Sequence, residues 1–179
     1  MLKPVNDQKK RSADGTFVIV ASQYNARYVD SMLSAAKAEL KRGGAKRLQV
    51  IRVPGAFEIP VVAARLARMA TEAHASRLTP HASPLTCLIC LGVIVRGQTT
   101  HAAHIAEAVS RGLMDIQIRY EIPIIHEVLL LENEEQARVR CLGREHNRGR
   151  EAAQTALSMV GVMRKLRKAE RGHYAAKLR

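Results

Sequence analysis

The 179-residue sequence is poor in aromatic residues, with no Trp, two Phe and four Tyr. It also lacks any apolar run near the ~20 residues that a membrane-spanning helix needs, so we expect no such helix. Its three cysteines are an odd number, and the polar N-terminus has no apolar centre of the kind found in secretory signals. We therefore expect reduced thiols and a cytoplasmic protein.

Acidic residues are scarce relative to basic ones, which gives a net charge of +13. Residues 1–12 contribute +3 of it and residues 164–179 contribute +6. We predict a flexible basic arm at 1–15, one domain at 16–166 and a basic tail at 167–179. Such ends either bind RNA, an acidic partner or a membrane surface, or they simply keep the protein soluble. We favour the second interpretation, without a nucleic-acid or membrane partner, because no aromatic-rich RNA-reading motif accompanies the charge.

Short apolar runs alternate with stretches of helical spacing. The runs lie at 17–21, 48–53, 86–95 and 122–131, and three of them are nearly continuous, as in strands that are buried on both faces. This alternation predicts an α/β fold with a parallel sheet and helices on both faces. The polar stretch 73–84 predicts a surface loop, and the last helix is expected at about 149–166. The inward helix positions are Met32, Leu33, Ala36 and Leu40; Ile59, Val62, Ala63, Leu66 and Met69; Ile105, Val109, Leu113, Ile116 and Tyr120; and Ala153, Leu157, Val160 and Met163.

Open parallel sheets bind ligands at the carboxyl ends of their strands, and the third such junction is the most informative. There the sequence GVIVRGQTTH at 92–101 runs from a buried strand into a helix. Gly97 allows a close turn, and Thr99 or Thr100 can cap the helix, whose N-terminal N–H groups suit a phosphate. A nucleotide P-loop is not expected, because Gln98 stands where the lysine belongs. The alternative is an ordinary capped helix start.

Two histidines and two cysteines near this junction invite a chemical interpretation. His101 and His104 share a helix face, but no third ligand stands at motif spacing, so we expect no metal site. His101 in the first helical turn is better placed as an acid–base group, and the alternative is a surface histidine without a role. Cys87 and Cys90 should point to opposite faces of a strand, which favours buried inert thiols over a redox pair.

Two further segments carry candidate binding residues. PGAFEIP at 54–60 follows the second run; Gly55 permits a turn there, and Phe57 stands at a loop position that core packing does not require. Glu58 precedes a helix, where it either contacts a ligand or compensates the helix dipole. Before the last helix lies a basic cluster suited to phosphate or to a solvated helix face, consisting of Arg140, Arg144, His146, Asn147 and Arg148.

Together these motifs resemble the lumazine synthase family. PGAFEIP at 54–60, VRGQTTH at 95–101, NEEQA at 133–137 and HNRG at 146–149 occur in that family's order. The resemblance covers about residues 17–166 and implies a flavodoxin-like three-layer αβα fold with a four-stranded parallel sheet of order 2-1-3-4. It also implies pentamers, some stacked as decamers and others closed into sixty-subunit icosahedral shells, with active sites shared between subunits and riboflavin synthase as a candidate partner.

The resemblance implies a transferase of riboflavin biosynthesis that needs no metal or organic cofactor. The amine of 5-amino-6-(ribitylamino)uracil attacks the ketone of 3,4-dihydroxy-2-butanone 4-phosphate, phosphate leaves, and ring closure with loss of water gives 6,7-dimethyl-8-ribityllumazine. Every step is a proton transfer or an elimination, so orientation and acid–base help suffice.

The resemblance also implies a role for individual residues. His101 would shuttle protons, and Arg140 would contact the phosphate from a neighbouring subunit. The substrate-binding residues would be Tyr24 against the pyrimidine with Asn25 beside it; Ala56, Phe57 and Glu58 at the ribityl chain; the backbone of Val93, Ile94 and Val95 at the pyrimidinedione edge; Gln98 and Thr99 at the phosphate; and His126 and Arg148 near the ring.

The chain departs from the family at several of these positions. His126-Glu127 replaces the usual Phe-Gly, so an imidazole stands where an aromatic ring from the neighbouring subunit stacks on the pyrimidine. Arg148 replaces a lysine and, as a guanidinium, stays protonated. Tyr24 replaces Phe or Trp. These departures and the basic ends motivate two alternatives, a non-catalytic ribityl-pyrimidine-binding or shell-forming relative and a nucleic-acid-associated protein.

Overall fold

A four-stranded parallel sheet forms the centre of the computed structural model, which describes residues 15–76, 85–143 and 146–177. The strands are β1 (Thr16–Ser22), β2 (Arg47–Val53), β3 (Leu85–Val95) and β4 (Ile124–Leu131), in the order β2-β1-β3-β4. The predicted sheet and its order 2-1-3-4 are confirmed. The arm predicted at 1–15 lies outside the described residues except for its last position.

Helices cover both faces of the sheet, which confirms the predicted three-layer α/β arrangement. They are α1 (Ala26–Arg42), α2 (Ile59–Ser76), α3 (His101–Tyr120), the short α4 (Glu134–Ala137), a π-helical turn (Arg138–Leu142) and α5 (Arg148–Lys177). Helices α1 and α5 share a buried core with one face of the sheet, and α2 and α3 share a core with the other. Within the described ranges, no helix is both long and apolar enough to cross a membrane.

The alternation of side chains along β3 divides its residues between the two cores. Cys87 belongs to the core under α1 and α5, whereas Cys90 belongs to the core under α2 and α3. Both thiols are free and fully buried, and burial raises the pKa of the Cys90 thiol to about 12 and that of Cys87 further. The prediction that the two thiols are buried on opposite faces of the strand is therefore confirmed, and that they are inert stays a prediction with which the raised pKa values agree.

Helix α5 packs closely on α1 because a glycine stands at the crossing point. A Cβ added at Gly149 would come within 1.9 Å of the Met32 carbonyl oxygen, a distance that no side chain can occupy. The helix then buries Ala152, Ala153, Ala156 and Val160 against the sheet. Small side chains at these positions let the two helices approach, and this fixes where the segment before α5 lies.

Three sequence predictions about the helices need correction. Helix α5 continues past the predicted end at residue 166 to Lys177, since the added segment is rich in Ala, Lys and Arg, which favour helix. Met69 was predicted inward but is 49% exposed; Ala67, four residues after Ala63, takes the buried position. Residues 73–76 of the predicted loop are the last turn of α2, and 77–84 lie outside the described residues.

Candidate active site

The loops after β1 and β2 are joined by backbone hydrogen bonds. The Gln23 N–H donates to the Val53 carbonyl at 2.8 Å, and the Tyr24 N–H donates to the Pro54 carbonyl at 3.0 Å. These bonds continue the parallel pairing of β1 and β2 beyond their last paired residues, Ser22 and Val53. Tyr24 is thereby held beside the PGAFEIP segment.

A glycine and a carboxylate shape the loop after β2. The Gly55 N–H donates to Glu58 Oε2 at 2.8 Å, so this carboxylate closes the turn that leads into α2. A Cβ at Gly55 would come within 3.0 Å of Tyr24 Cδ2, which shows that the tyrosine ring lies against the glycine. Phe57 lies between Gly55 and Glu58 in the sequence and is 60% exposed, as expected for a side chain that core packing does not require. Ala56 is buried beneath the loop.

Asn25 connects the loop after β1 to the end of β3. Its side-chain Nδ2 donates to the Val93 carbonyl at 2.8 Å, and its backbone has the left-handed conformation with φ 56°. Asparagine tolerates this conformation better than most residues, which explains how the chain turns directly from β1 into α1. Residues from three strand ends therefore converge at one place.

The last residues of β3 extend beyond β1. The pairing of β3 with β1 ends at Leu91 opposite Ala21, whereas its pairing with β4 continues to Val95 opposite Leu131. The side chains of Val93 and Ile94 are buried, so the backbone is the part of this segment that faces the strand-end loops. This geometry agrees with the predicted use of the backbone of Val93, Ile94 and Val95, although Asn25 already occupies the Val93 carbonyl.

The loop from β3 to α3 is exposed and leads into a 20-residue helix. Thr100 is the N-cap residue but makes no side-chain cap; instead, the His101 N–H donates to Thr99 Oγ1 at 3.4 Å. Gln98, Thr99 and His101 are exposed, and a Cβ at Gly97 would meet nothing within 4 Å. The helix N-terminus is thus open to an anion, and His101 lies in its first turn as predicted.

The remaining expected site residues lie elsewhere in the chain, around the outer strand β4. His126 is opposite Cys90 near the start of β4, five residues before Leu131, or roughly 16 Å along the strand at about 3.3 Å per residue. Arg140 is exposed on the π-helical turn, and Arg148 begins α5 with an ion pair to Glu151 at 2.7 Å. We call His126, Arg140 and Arg148 the edge-strand group.

The residues at the carboxyl ends of the strands form the other set, which we call the strand-end group. Because β4 is an outer strand of the sheet, His126 lies on a free sheet edge, and Arg140 and Arg148 lie close enough to Glu127 of β4 to oppose the rise that burial causes in the pKa of its carboxyl. The structure thus places the expected residues of this site in two groups. The strand-end group comprises Tyr24, Asn25, Ala56, Phe57, Glu58, Val93, Ile94, Val95, Gln98, Thr99 and His101.

Glu127 introduces an acidic group among the arginines of the edge-strand group. It follows His126 on β4 and therefore points to the opposite face, toward α5. Burial raises the pKa of the Glu127 carboxyl to about 7; Arg148 and Arg140 oppose this rise, and Glu151 adds to it. This carboxyl is therefore partly protonated near neutral pH and does not form a simple ion pair.

Asn147 supports both arginines of the edge-strand group through a buried network. Its Nδ2 donates to the Cys141 carbonyl at 2.5 Å, and its Oδ1 accepts from the Gly149 N–H at 2.9 Å. Ser31 on α1 donates to the same Cys141 carbonyl at 2.7 Å. The sequence analysis grouped Asn147 with the basic cluster, but its side chain connects the π-helical turn to the start of α5.

Ser110 on α3 is a residue that the sequence analysis missed. Its Oγ lies 2.8 Å from His126 Nε2. A serine on a mostly exposed helix face gives no signal by itself, and the contact becomes visible only when the β4 register is known. As for metals, no group of three or more potential ligands occurs within 15–76, 85–143 and 146–177.

Comparisons with known proteins point to one family. A family profile described as 6,7-dimethyl-8-ribityllumazine synthase matches residues 14–164. A protein of that name from Stenotrophomonas maltophilia is 40% identical over 152 residues, covering 84% of this chain and 90% of the relative. A relative of the same name from Xanthomonas campestris pv. campestris is 36% identical over 155 residues, covering 86% of this chain and 92% of the relative. Another, from Xylella fastidiosa, is 37% identical over 158 residues, covering 87% of this chain and 94% of the relative.

Proposed function

The chain belongs to the 6,7-dimethyl-8-ribityllumazine synthase family, and on that premise we propose that the strand-end group binds the substrates of the family's reaction. The protein is a transferase of riboflavin biosynthesis. It condenses 5-amino-6-(ribitylamino)uracil with 3,4-dihydroxy-2-butanone 4-phosphate to 6,7-dimethyl-8-ribityllumazine, releasing phosphate and water. The observation that carries our assignment of the site is the Asn25–Val93 hydrogen bond, since it joins the loop after β1, which carries Tyr24, to the end of β3, from which the loop to α3 begins.

Two exposed aromatic side chains support a binding surface for a flat heterocycle. Tyr24 is 71% exposed and Phe57 is 60% exposed, in a chain that has two Phe and four Tyr in all. Leaving a large apolar side chain in water forgoes about 1.5–3 kcal/mol of burial energy. A ligand that covers these rings recovers part of that energy. In our assignment Tyr24 faces the pyrimidine, while Ala56, Phe57 and Glu58 line the ribityl chain.

The loop before α3 supplies the phosphate site of the proposal. Gln98 and Thr99 hold the anion through backbone N–H groups and the threonine hydroxyl, with the helix dipole in support. The open space above Gly97 lets a phosphate approach the backbone closely. His101, the first residue of α3, carries protons between the amine, the carbonyl oxygen and the leaving water. Binding and proton transfer are therefore adjacent, as an elimination of phosphate requires.

The edge-strand group completes the site, in our proposal, from a second copy of the chain. A free sheet edge that carries His126, with Arg140 and Arg148 on the segments that follow β4, is open to the strand-end group of a neighbour. Exposed apolar residues on α2 and α3 favour such an assembly: Val61 and Ile118 are each 68% exposed and Met114 is 53% exposed. The assembly that we propose is a pentamer, which stands alone or forms part of a decamer or a sixty-subunit shell. We further propose riboflavin synthase as the partner and the cytoplasm as the location.

Lumazine formation by the purified protein tests this proposal directly. We expect the product's absorbance to appear when both substrates are added. His101→Ala and Arg140→Ala should each lower kcat/KM by about 10²–10⁴-fold, the usual value of acid–base or charge assistance. His104→Ala is the matched control, one turn along α3 and equally exposed, and should retain wild-type activity. Full activity of His101→Ala would refute its role, and binding without turnover would support the non-catalytic alternative.

A further inference from the structure

Both ring nitrogens of His126 are held by hydrogen bonds within the chain. Nδ1 lies 3.1 Å from the Val128 backbone nitrogen, two residues along the free edge of β4, and Nε2 lies 2.8 Å from Ser110 Oγ. Ser110 Oγ is also 2.8 Å from the Ala106 carbonyl, one turn earlier on α3. Hydrogen bonds to ring nitrogens lie in the plane of an imidazole, so these two fix the ring without covering its faces, and the residue as a whole is exposed.

The directions of the hydrogen bonds to His126 follow from the Val128 backbone N–H, which can only donate. The Val128 N–H must donate, so Nδ1 accepts and carries no proton. The neutral ring therefore bears its proton on Nε2 and donates it to Ser110 Oγ, whose own hydroxyl proton goes to the Ala106 carbonyl. A protonated imidazolium would set an Nδ1–H against the Val128 N–H. The chain of bonds thus selects one tautomer of the neutral ring.

The same reasoning excludes a nucleophilic serine. A serine–histidine pair that attacks a carbonyl needs an unprotonated ring nitrogen facing the hydroxyl. Here the nitrogen that faces Ser110 carries the proton, and the hydroxyl proton is already given to Ala106. The pair therefore serves to position the ring and not to activate the serine.

The electrostatic surroundings also favour the neutral ring. Burial lowers the pKa of His126, although part of its side chain reaches solvent, and a backbone hydrogen bond of the same residue opposes this shift in part. The nearest charged residues along α3, Glu107 and Arg111, pair with each other at 2.6 Å. On β3 the residue opposite is Cys90, a neutral thiol.

We propose that Ser110 is a positioning residue that holds His126 as a neutral, flat surface for the substrate's pyrimidine ring. This inference rests on the proposed function, in which His126 stacks on the pyrimidine bound to a neighbouring copy. It explains how an imidazole takes the place of the family's usual phenyl ring. The serine locks the ring plane and the protonation state that a phenyl ring has without help.

A double-mutant cycle tests whether Ser110 acts through His126. Ser110→Ala should raise KM for the pyrimidine about 2- to 10-fold, the value of one neutral hydrogen bond, with a smaller change in kcat. The same substitution in a His126→Phe background should change nothing, and Ser110→Thr, which keeps the hydroxyl, should restore KM. Thr71→Ala is the matched control, since Thr71 donates to the Ala67 carbonyl at 3.0 Å on α2 without any imidazole partner. Equal effects of Ser110→Ala in both backgrounds would overturn the proposal.

The state of the ring can be measured without turnover. Solid-state NMR of sedimented protein with ¹⁵N-labelled histidine should show His126 protonated at Nε2 and not at Nδ1 at neutral pH. The signal is assigned by its loss in His126→Phe, and Ser110→Ala should mix the two tautomers. A wild-type ring protonated at Nδ1 would overturn the inference even if lumazine forms. The expected tautomer together with no lumazine formation would instead count against the proposed function.

Discussion

The strand-end group and the edge-strand group are held in place by different kinds of contact. Backbone hydrogen bonds between neighbouring loops hold the first, as in the bonds from Gln23 and Tyr24 to the end of β2. A buried side-chain amide, Asn147, and a close helix crossing at Gly149 hold the second. The first group should therefore tolerate single side-chain deletions that the second does not, because backbone bonds survive a change of side chain.

The largest expected difference lies between two glycines, one beside each group. Gly149→Ala forces α5 away from the Met32 carbonyl and should lower the free energy of unfolding by about 3 kcal/mol or more. Gly97→Ala adds a methyl group in open space and should change it by less than about 0.5 kcal/mol. Urea unfolding at one fixed protein concentration measures both. Equal stability of the two variants would remove the helix crossing from the account.

The next comparison uses two asparagines, Asn25 of the strand-end group and Asn147, which supports the arginines of the edge-strand group. Asn147→Ala leaves the Gly149 N–H without its partner and the Cys141 carbonyl with only the Ser31 hydroxyl, and should cost about 2–3 kcal/mol of unfolding free energy. Asn25→Gly removes the amide bonded to Val93 but allows the same left-handed backbone, and should cost about 0.5–1.5 kcal/mol. Thermal unfolding of the two variants gives the ranking. The reverse ranking would show that the strand-end loops depend more on side chains than the structure implies.

A pH-dependent difference should separate the groups further. Because the folded state raises the pKa of Glu127 to about 7, the folded protein binds this proton more tightly than the unfolded chain does. The stability that it contributes is complete below the ordinary glutamate pKa and is lost as pH rises through 7. Glu127→Gln should therefore be more stable than wild type at pH 8 by about 1–2 kcal/mol, and the difference should vanish near pH 4.

Glu135→Gln serves as the control for that pH experiment. Glu135 is exposed, and its hydrogen bond to Arg138 lowers the pKa of this carboxyl. Its removal should shift the pH dependence of stability in the opposite sense, with a full loss above the ordinary glutamate pKa that fades as pH falls through the lowered pKa of the folded state. If Glu127→Gln and Glu135→Gln shift the profile in the same direction, burial of Glu127 is not the cause.

The smallest effect is expected at the carboxylate of the strand-end group. Glu58→Gln keeps an oxygen for the Gly55 N–H and should change the free energy of unfolding by less than about 1 kcal/mol. Its effect on KM for the ribityl-pyrimidine should be larger than its effect on stability, since the side chain lies beside Phe57. A destabilisation as large as that of Asn147→Ala would show that the loop after β2 depends on this side chain.

Hydropathy patterning was sufficient to predict the parallel sheet and the loops at its strand ends, whereas the strand order and the individual substrate-binding residues came only from the family resemblance. Nearly continuous apolar runs identified buried strands, and the rule that ligands bind at their carboxyl ends identified the loops at Tyr24, Phe57 and Thr99. The end of α5 was missed because the apolar stripe stops near residue 166, whereas helix propensity carries the helix on to Lys177. Met69 was misplaced because Ala63 and Ala67, small residues with weak hydropathy, set the buried face of α2.

The contacts of the edge-strand group could not be predicted, because they depend on register and on long-range packing. Ser110 meets His126 only through the packing of α3 on β4, and Glu127 meets Arg148 only through the packing of α5. Asn147 was noticed for its charged neighbours, while its role depends on the carbonyl of Cys141, six residues earlier. No local pattern encodes these distances.

Subunit complementation tests most directly the central claim that one active site takes its two groups from two copies of the chain. His101→Ala subunits carry a defective strand-end group and Arg140→Ala subunits a defective edge-strand group. Assemblies that contain both, purified through two different tags, should have roughly a quarter of their sites intact and recover about a quarter of wild-type lumazine formation. A mixture of His101→Ala with Thr99→Ala, both in the strand-end group, should gain nothing over the average of its parts. Mixed His101→Ala and Arg140→Ala assemblies that stay as inactive as either variant alone would contradict the account.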